Sequence, residues 1–291
     1  MPSLKDIRRR ISSVKNTQQV TQAMKMVSAA KLRRAQEAIT AARPYSQRLE
    51  SILGSVASRV TEDVHPLLEE RELRKVVLVV VTSDRGLCGG FNANVARRAG
   101  QFLAKEADAF ESVELSFVGK KGHDVFKRRE DVSIRQFYRD VLSPLTQEGV
   151  AKVASSLLED FSSGEVDGIF LVYNAFKSAG SQLLTLRRLL PVDTSAFAGS
   201  EEGGGIEHIY EPDRSALLDS MAPRYVENQI HTTFLDSIAA EHAARMVAME
   251  GASKAAAEMI DQLTLEANRA RQAAITKELF PPPGTPWRRY L

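Results

Sequence analysis

The chain has 291 residues, with 43% hydrophobic and 26% charged residues and 39 Lys and Arg against 37 Asp and Glu, a formal net charge of +2. This balance is typical of a globular protein and excludes collagen-like and intrinsically disordered chains. No run approaches 18 uncharged apolar residues and no leader segment precedes the first predicted helix, so we expect a cytoplasmic chain with no direct membrane insertion.

The first predicted element is a long helix over residues 3–59. Ser3 followed by Asp6 provides an N-terminal cap, and Pro44 removes a backbone donor, which predicts a bend near Arg43. Steps of seven from Ile7 and from Ile11 trace a seam that is apolar at both ends and small or polar in the middle. The seam positions are Ile7, Ile11, Val14, Gln18, Thr21, Lys25, Ser28, Leu32, Ala35, Ile39, Ala42, Ser46, Leu49, Leu53 and Val56.

This first helix is strongly basic. Residues 1–59 hold twelve Lys and Arg against three Asp and Glu. Such a surface suits nucleic acid, an acidic protein partner or plain solvent. A nucleic-acid reader of this length would add aromatic side chains for stacking, and the segment holds one, Tyr45, so an acidic protein partner is the better hypothesis.

The middle of the chain predicts a small, mostly parallel α/β sheet. The run KVVLVVVT over 75–82 is typical of a strand buried on both faces. Further strands are predicted over 113–118, 132–138 and 168–173, with a final antiparallel strand over 182–190. Helices are predicted between them over 94–107, 121–128 and 145–161.

The closing element is a second long helix, from Arg224 to Phe280, preceded by a short helix over 213–220 because Pro223 fits a first-turn position. Its 57 residues would span about 85 Å, whereas residues 74–210 would fold to a globule of about 35 to 40 Å. We therefore expect the two long helices to project and to cover each other as an antiparallel coiled coil. Its apolar positions are Val226, Ile230, Phe234, Ile238, Met246, Met249, Ala252, Ala256, Met259, Ile260 and Leu263, followed by Ala267, Ala270, Ala273 and Ala274.

The loop SDRGLCGGFN over 83–92 lies where a doubly wound sheet binds phosphate, after the first strand and before a helix. It lacks the G-x-G-x-x-G spacing, and Lys120 and Lys121 lack the glycines of a Walker A loop. The leading interpretation is a tight turn whose glycines let it pass close to a neighbouring backbone. A nucleotide-binding enzyme with a coiled-coil arm stays an alternative, as does a coiled-coil nucleic-acid binder.

No catalytic or metal constellation is evident. The single Cys88 excludes an intramolecular disulfide and has no histidine near it in sequence, so an inert buried thiol is favoured over an activated one. The five histidines are scattered and none has metal-ligand spacing. We therefore predict a non-catalytic chain without a cofactor.

Several long motifs occur in order along the chain. They are LKDIRRRI over 4–11, NTQ over 16–18, TQAMKMVSAAK over 21–31, RPY over 43–45, the 83–92 loop, YEPD over 210–213, EHAARMVAM over 241–249 and NRARQAAITKE over 268–278. In this order they resemble the gamma subunit of the bacterial F-type, proton-translocating ATP synthase. The resemblance spans residues 2 to 279 and implies a rotor shaft of the two terminal helices, residues 1–59 and 213–280. A Rossmann-like α/β domain, residues 74–210, would form its foot.

The resemblance also implies partners and roles. The shaft would turn inside a ring of alpha and beta subunits, with the foot beside the epsilon subunit and on the c-subunit ring, peripheral to the cytoplasmic face of the cell membrane. Met24 and Lys25 would face the acidic lever loop of beta, and Tyr210 and Glu211 would lie near the c ring. Residues Arg245, Arg271, Gln272 and Thr276 would lie along the zone gripped by the catch loops. The Pro-rich tail, 281–291, departs from the family pattern because its three successive prolines stop the helix.

Overall fold

The computed structural model describes residues 3–57, 65–193 and 214–279. Tyr210, Glu211 and the 281–291 tail lie outside the described residues. The chain divides into two compact units, Met1–Val27 with Met246–Leu291, and Ser28–Arg245. We call them the terminal unit and the sheet unit. The predicted domain bounds stay a prediction.

Two long helices, α1 (Leu4–Ala57) and α5 (Arg214–Leu279), contribute to both units. The predicted cap of α1 is confirmed: the Asp6 amide donates to Ser3 Oγ at 3.3 Å, and the Ser3 amide donates back to Asp6 Oδ2 at 3.2 Å. The helix runs through Pro44 without interruption. The predicted bend at that residue stays a prediction.

The separate short helix predicted before Pro223 is wrong, because α5 begins at Arg214 and passes through Pro223. An interior proline loses one helical hydrogen bond at a cost of roughly 3 kcal/mol. Leu218, Ala222 and Val226 around it are 2% exposed or less and pack into the core. At about 25 cal/mol per Å² their burial outweighs that cost and keeps the helix continuous.

The sheet unit contains five strands in the order β3-β2-β1-β4-β5, parallel except for the antiparallel last pair. This confirms the predicted mostly parallel sheet. The strands are β1 (Lys75–Val81), β2 (Ser112–Val118), β3 (Ser133–Tyr138), β4 (Gly168–Ser178) and β5 (Ser181–Leu190). β4 extends five residues beyond its predicted end at Tyr173, because Asn174 to Phe176 pair with β5.

Helices cover both faces of this sheet. They are α2 (Phe91–Lys105), α3 (Lys120–Phe126) and α4 (Gln147–Ser162). One core joins Leu78 and Val80 of β1 to α2 and α3. The other joins Val77 and Val79 to α4 and to the portions of α1 and α5 in this unit. β1 faces apolar neighbours on both sides, which explains its uninterrupted β-branched run.

The two long helices pair antiparallel through the predicted seam. In the terminal unit, Thr21 contacts Ser253 and Lys25 contacts Glu250. Residue numbers rise along α1 while those of their partners fall along α5, which shows that the helices run antiparallel. All the predicted α1 seam positions are buried or half-buried. Met259 is the error on α5: it is 50% exposed, while its neighbours Ala256 and Ile260 turn inward.

Ala273 and Ala274 are exposed too. The antiparallel register brings the start of α1 level with about Ala270, so α5 continues beyond its partner.

Candidate functional site

The carboxyl edge of the sheet is the first candidate site, because doubly wound sheets bind phosphate there. Three consecutive amides at the start of α3 point to this edge, and the chain itself supplies their acceptors. Lys120 N donates to Asp84 Oδ1 at 3.0 Å, Lys121 N to Ser83 O at 3.0 Å, and Gly122 N to Thr82 Oγ1 at 2.8 Å. A phosphate would have to displace all three of these hydrogen bonds. The amides at this edge therefore serve to bind the chain to itself.

The 83–92 loop contains the predicted tight turn, but a Cβ on Gly86 or Gly90 would meet only the side chains of Lys121 and Asn94, so these two glycines do not serve a close approach to a neighbouring backbone. Leu87 and Gly89 have left-handed φ values of 63° and 57°. From the sheet, Asn174 Nδ2 donates to Phe91 O at 3.0 Å, and both residues are buried. This bond places the end of the loop against β4, beside the crevice where a doubly wound sheet would hold a nucleotide.

Cys88 is the inert buried thiol expected from the sequence. It is 2% exposed and packs with Phe91, Ala240 and Ala244. Burial raises its pKa, which keeps the thiol protonated and unreactive near neutral pH. Among the described residues no group of His, Cys, Asp and Glu is arranged to hold a metal ion.

Arg245 fastens this loop to α5. Its Nε and Nη2 atoms donate to Gly86 O at 3.3 and 3.2 Å, and Nη2 also donates to Glu241 Oε1 at 2.6 Å. Burial raises the pKa of Glu241, and the charge and hydrogen bond of Arg245 oppose that shift. With Arg245 only 8% exposed, its first partners are inside its own chain. A contact with another subunit stays a prediction.

The other predicted contact residues lie on the terminal unit. Met24 and Lys25 are half-buried, and Lys25 Nζ lies 3.3 Å from a Glu250 carboxylate oxygen. Arg271, Gln272 and Thr276 are exposed, on the stretch of α5 that continues past the start of α1. Arg271, Gln272 and Thr276 are therefore accessible to a partner, whereas Lys25 already forms an ion pair with Glu250 inside the chain.

Exposed apolar side chains accompany the charges of the terminal unit. Val20, Met26 and Val27 are 57–61% exposed on α1, between positions of the buried seam. Residues 3–27 carry six Lys and Arg against one acid. Together they form a basic surface with apolar patches, suited to a protein partner that offers both acidic and apolar groups. Val20 is not among the predicted contact residues, although its position off the seam was a usable signal in the sequence.

Comparison with known proteins places the chain. A family model described as ATP synthase matches residues 3–281. The ATP synthase gamma chain of Anaeromyxobacter sp. (strain Fw109-5) is 53% identical over 283 residues, covering 96% of this chain and 97% of the relative. The chain belongs to the ATP synthase gamma-chain family. The gamma chain of Geobacter sp. (strain M21) is 48% identical over 280 residues, covering 96% of each.

Solved structures share the fold of this chain. A rotor chain of the Euglena gracilis mitochondrial ATP synthase has a TM-score of 0.61 at 21% identity, covering 94% of this chain and 98% of that chain. A chain from the OSCP/F1/c-ring structure of that enzyme in rotational state 3 has a TM-score of 0.64 at 22% identity, covering 95% and 91%. The resemblance noted from the sequence is confirmed, and this gamma chain is a subunit of ATP synthase other than the catalytic one.

Across residues 3–57, 65–193 and 214–279, no helix of this gamma chain combines the length and apolar content needed to cross a lipid bilayer.

Proposed function

We propose that this gamma chain is the central-stalk rotor of an F-type ATP synthase. It couples rotation of a c-subunit ring to conformational change in the beta catalytic sites and makes or breaks no bond itself. The observation that carries the proposal is the antiparallel pairing of α1 with α5 in a chain that matches the ATP synthase family over residues 3–281. Membership of the gamma family favours this function over a nucleotide-binding enzyme or a nucleic-acid binder.

The seam suits a part that turns. Its middle includes the small side chains of Thr21, Ser28 and Ala35, which let two backbones approach closely while burying little apolar area. A helix pair of this kind is narrow and draws support from a surrounding assembly. Charges on its outer surface form exposed pairs worth about 0 to 1 kcal/mol each, which guide a partner without fixing one angle.

The partners in this proposal are a ring of alpha and beta subunits, the epsilon subunit and the c ring. Met24 and Lys25 would face the acidic lever loop of beta. The catch loops would contact Arg271, Gln272 and Thr276, and the c ring would lie near Tyr210 and Glu211. The complex would be bound to the membrane, with this chain peripheral to the cytoplasmic face of the membrane. The exposure of Arg271 to Thr276 and the basic surface of α1 support these contacts.

Replacement of the gamma subunit tests the proposal. The chain would be expressed with alpha, beta, epsilon and membrane-sector subunits of a close relative, and inverted vesicles assayed for ATP-driven proton uptake. We expect alpha, beta and epsilon to copurify with the chain and proton uptake to be restored relative to vesicles lacking it. Copurification without uptake, or no copurification, would overturn the rotor function.

Binding assays on the free chain separate the alternatives. Stoichiometric nucleotide binding would favour a nucleotide-binding enzyme. Salt-sensitive binding to duplex DNA would favour a nucleic-acid binder.

A further inference from the structure

We propose that Arg245 is a positioning residue that staples the 83–92 loop to α5, so that the loop turns together with the helix. The inference rests on the proposed rotor function. It assigns Arg245 a role through Gly86 inside the chain, where the family resemblance implies a contact with a neighbouring subunit.

The two ends of the loop are anchored without Arg245. At one end Asp84 Oδ1 accepts the Lys120 amide at 3.0 Å. At the other, Asn92 Oδ1 accepts the Ser83 amide at 2.9 Å, and Phe91 O accepts from Asn174. The Asp84 and Phe91 bonds tie the loop to α3 and to the sheet, and the Ser83–Asn92 bond joins the two ends of the loop to each other.

The tip depends on Arg245. Gly86 O accepts both Nε and Nη2 of Arg245, at 3.3 and 3.2 Å. Within the part of the chain that the structure describes, no other side chain from outside the loop donates a hydrogen bond to residues 85–87. The hydrogen bonds from α5 to the tip therefore all come from one guanidinium group, and they adjoin the apolar packing of Cys88 on Ala240 and Ala244.

The chemistry of the staple requires arginine. A guanidinium presents several donors in one plane, so Nη2 bonds Glu241 Oε1 at 2.6 Å while Nε and Nη2 reach Gly86 O. The side chains of Arg245 and Glu241 are 10% and 13% exposed, and a charge buried to that degree needs a paired, hydrogen-bonded partner. Glu241 lies one helical turn away and meets that need.

The hydrogen bonds of Arg245 stabilise a backbone conformation at the loop tip that is unfavourable in isolation. Leu87 has φ 63°, a region that side chains other than glycine rarely adopt, and it is 62% exposed. A leucine held outward in this conformation is positioned by its surroundings. The carbonyl of the preceding Gly86 is the anchored atom.

Cys88 provides a direct readout, because the chain's one cysteine lies two residues beyond Gly86 and is 2% exposed. The full-length chain would be treated with N-ethylmaleimide, and the alkylation rate measured for the parent, Arg245→Gln, Arg245→Lys and Arg85→Gln. We expect roughly ten- to a hundredfold faster alkylation in Arg245→Gln, since the lost bonds involve a charged donor.

Arg245→Lys should restore part of the protection through a single bond to Gly86 O. Arg85→Gln, at the exposed tip, should react like the parent. Circular dichroism checks that each variant keeps its helix content, and an unchanged rate in both Arg245 variants would overturn the staple.

The assembled complex supplies the second readout. We expect Arg245→Gln to lower the number of protons taken up per ATP hydrolysed by at least about twofold, with alpha and beta still copurifying, and Arg245→Lys to recover part of that ratio. Faster Cys88 alkylation with an unchanged ratio would overturn the link between staple and coupling. If the parent chain itself fails to assemble, the rotor function fails, while the alkylation result still decides the staple.

Discussion

Thr21 and Ser253 meet across the two long helices with their Oγ atoms 2.7 Å apart, and both are buried. Thr21 Oγ also donates to Gln18 O at 2.9 Å, so the hydroxyl of Ser253 is the donor between the helices. The seam at this level is joined by a short chain of hydrogen bonds where a coiled coil ordinarily places leucine.

Replacing one residue of the Thr21–Ser253 pair should lower the free energy of unfolding more than replacing both. Thr21→Val keeps the volume and leaves the Ser253 hydroxyl without its acceptor, which we expect to lower the free energy of unfolding by about 1 to 3 kcal/mol. The double variant Thr21→Val, Ser253→Ala should regain most of that loss. Urea unfolding of four chains, the parent, Thr21→Val, Ser253→Ala and the double variant, measures it, and a strictly additive double variant would contradict the pairing.

Met24→Lys should impair coupling while assembly persists. The new ammonium lies next to Lys25, which already pairs with Glu250, so the added charge lacks an internal partner and seeks an acidic group outside the chain. Proton uptake per ATP in inverted vesicles is the measurement, and Met24→Leu is the matched control. Uptake equal to that of the parent would show that Met24 does not lie at the lever loop.

Gly119→Ala should destabilise the sheet unit severely. Gly119 has φ 92°, and an added Cβ would lie 2.0 Å from the backbone oxygen of Thr82. We expect a loss of more than about 3 kcal/mol in thermal or urea unfolding. Gly180, where a Cβ would meet nothing within 4 Å, provides the control, and Gly180→Ala should change stability by less than about 0.5 kcal/mol.

His242 should make the protein less stable in acid. Burial, aided by Arg245 and Lys31, lowers its pKa from 6.5 to about 4. Between these two pH values the unfolded histidine binds a proton that the folded one does not. The free energy of unfolding therefore falls as the pH drops from 6.5 toward 4, and His242 imposes no such loss above pH 6.5.

Thermal unfolding of the parent and of His242→Gln across this range isolates the effect. The parent should lose more stability than the variant as the pH falls. Parallel curves would mean that the neutral imidazole contributes nothing.

Nucleotide should not bind at the carboxyl edge of the sheet. The amides of Lys120, Lys121 and Gly122 are engaged by Asp84, Ser83 and Thr82. Titration of the full-length chain with MgATP by calorimetry should give no saturable heat at micromolar concentrations. Saturable binding that Asp84→Asn alters would place a ligand at this edge after all.

Local patterns in the sequence predicted the seam and the sheet because they repeat at the period of a helix or a strand. Heptad steps found the buried positions of α1, and the β-branched run over 75–82 found β1 to within one residue. The errors at Pro223 and at the end of β4 have tertiary causes, since core packing and pairing with β5 overrode local preference.

The contacts that define the sheet edge left no such pattern. Lys120 and Asp84 are 36 residues apart, and Arg245 and Gly86 are 159 apart, so neither contact imposes a period on the sequence. Their residue types alone were compatible with a phosphate site, with a partner contact or with an internal bond. Only the folded arrangement distinguishes these possibilities.

Because the amides at the carboxyl edge of the sheet are bonded within the chain, no cellular metabolite is needed there to satisfy them. A ligand stabilises a fold by an amount that grows with the logarithm of its concentration once that exceeds the dissociation constant, and a unit that binds neither ATP nor ADP would receive no such contribution. Its rigidity should thus be the same in a starved cell and in a well-fed one, which suits a component that must work at any ratio of the two nucleotides.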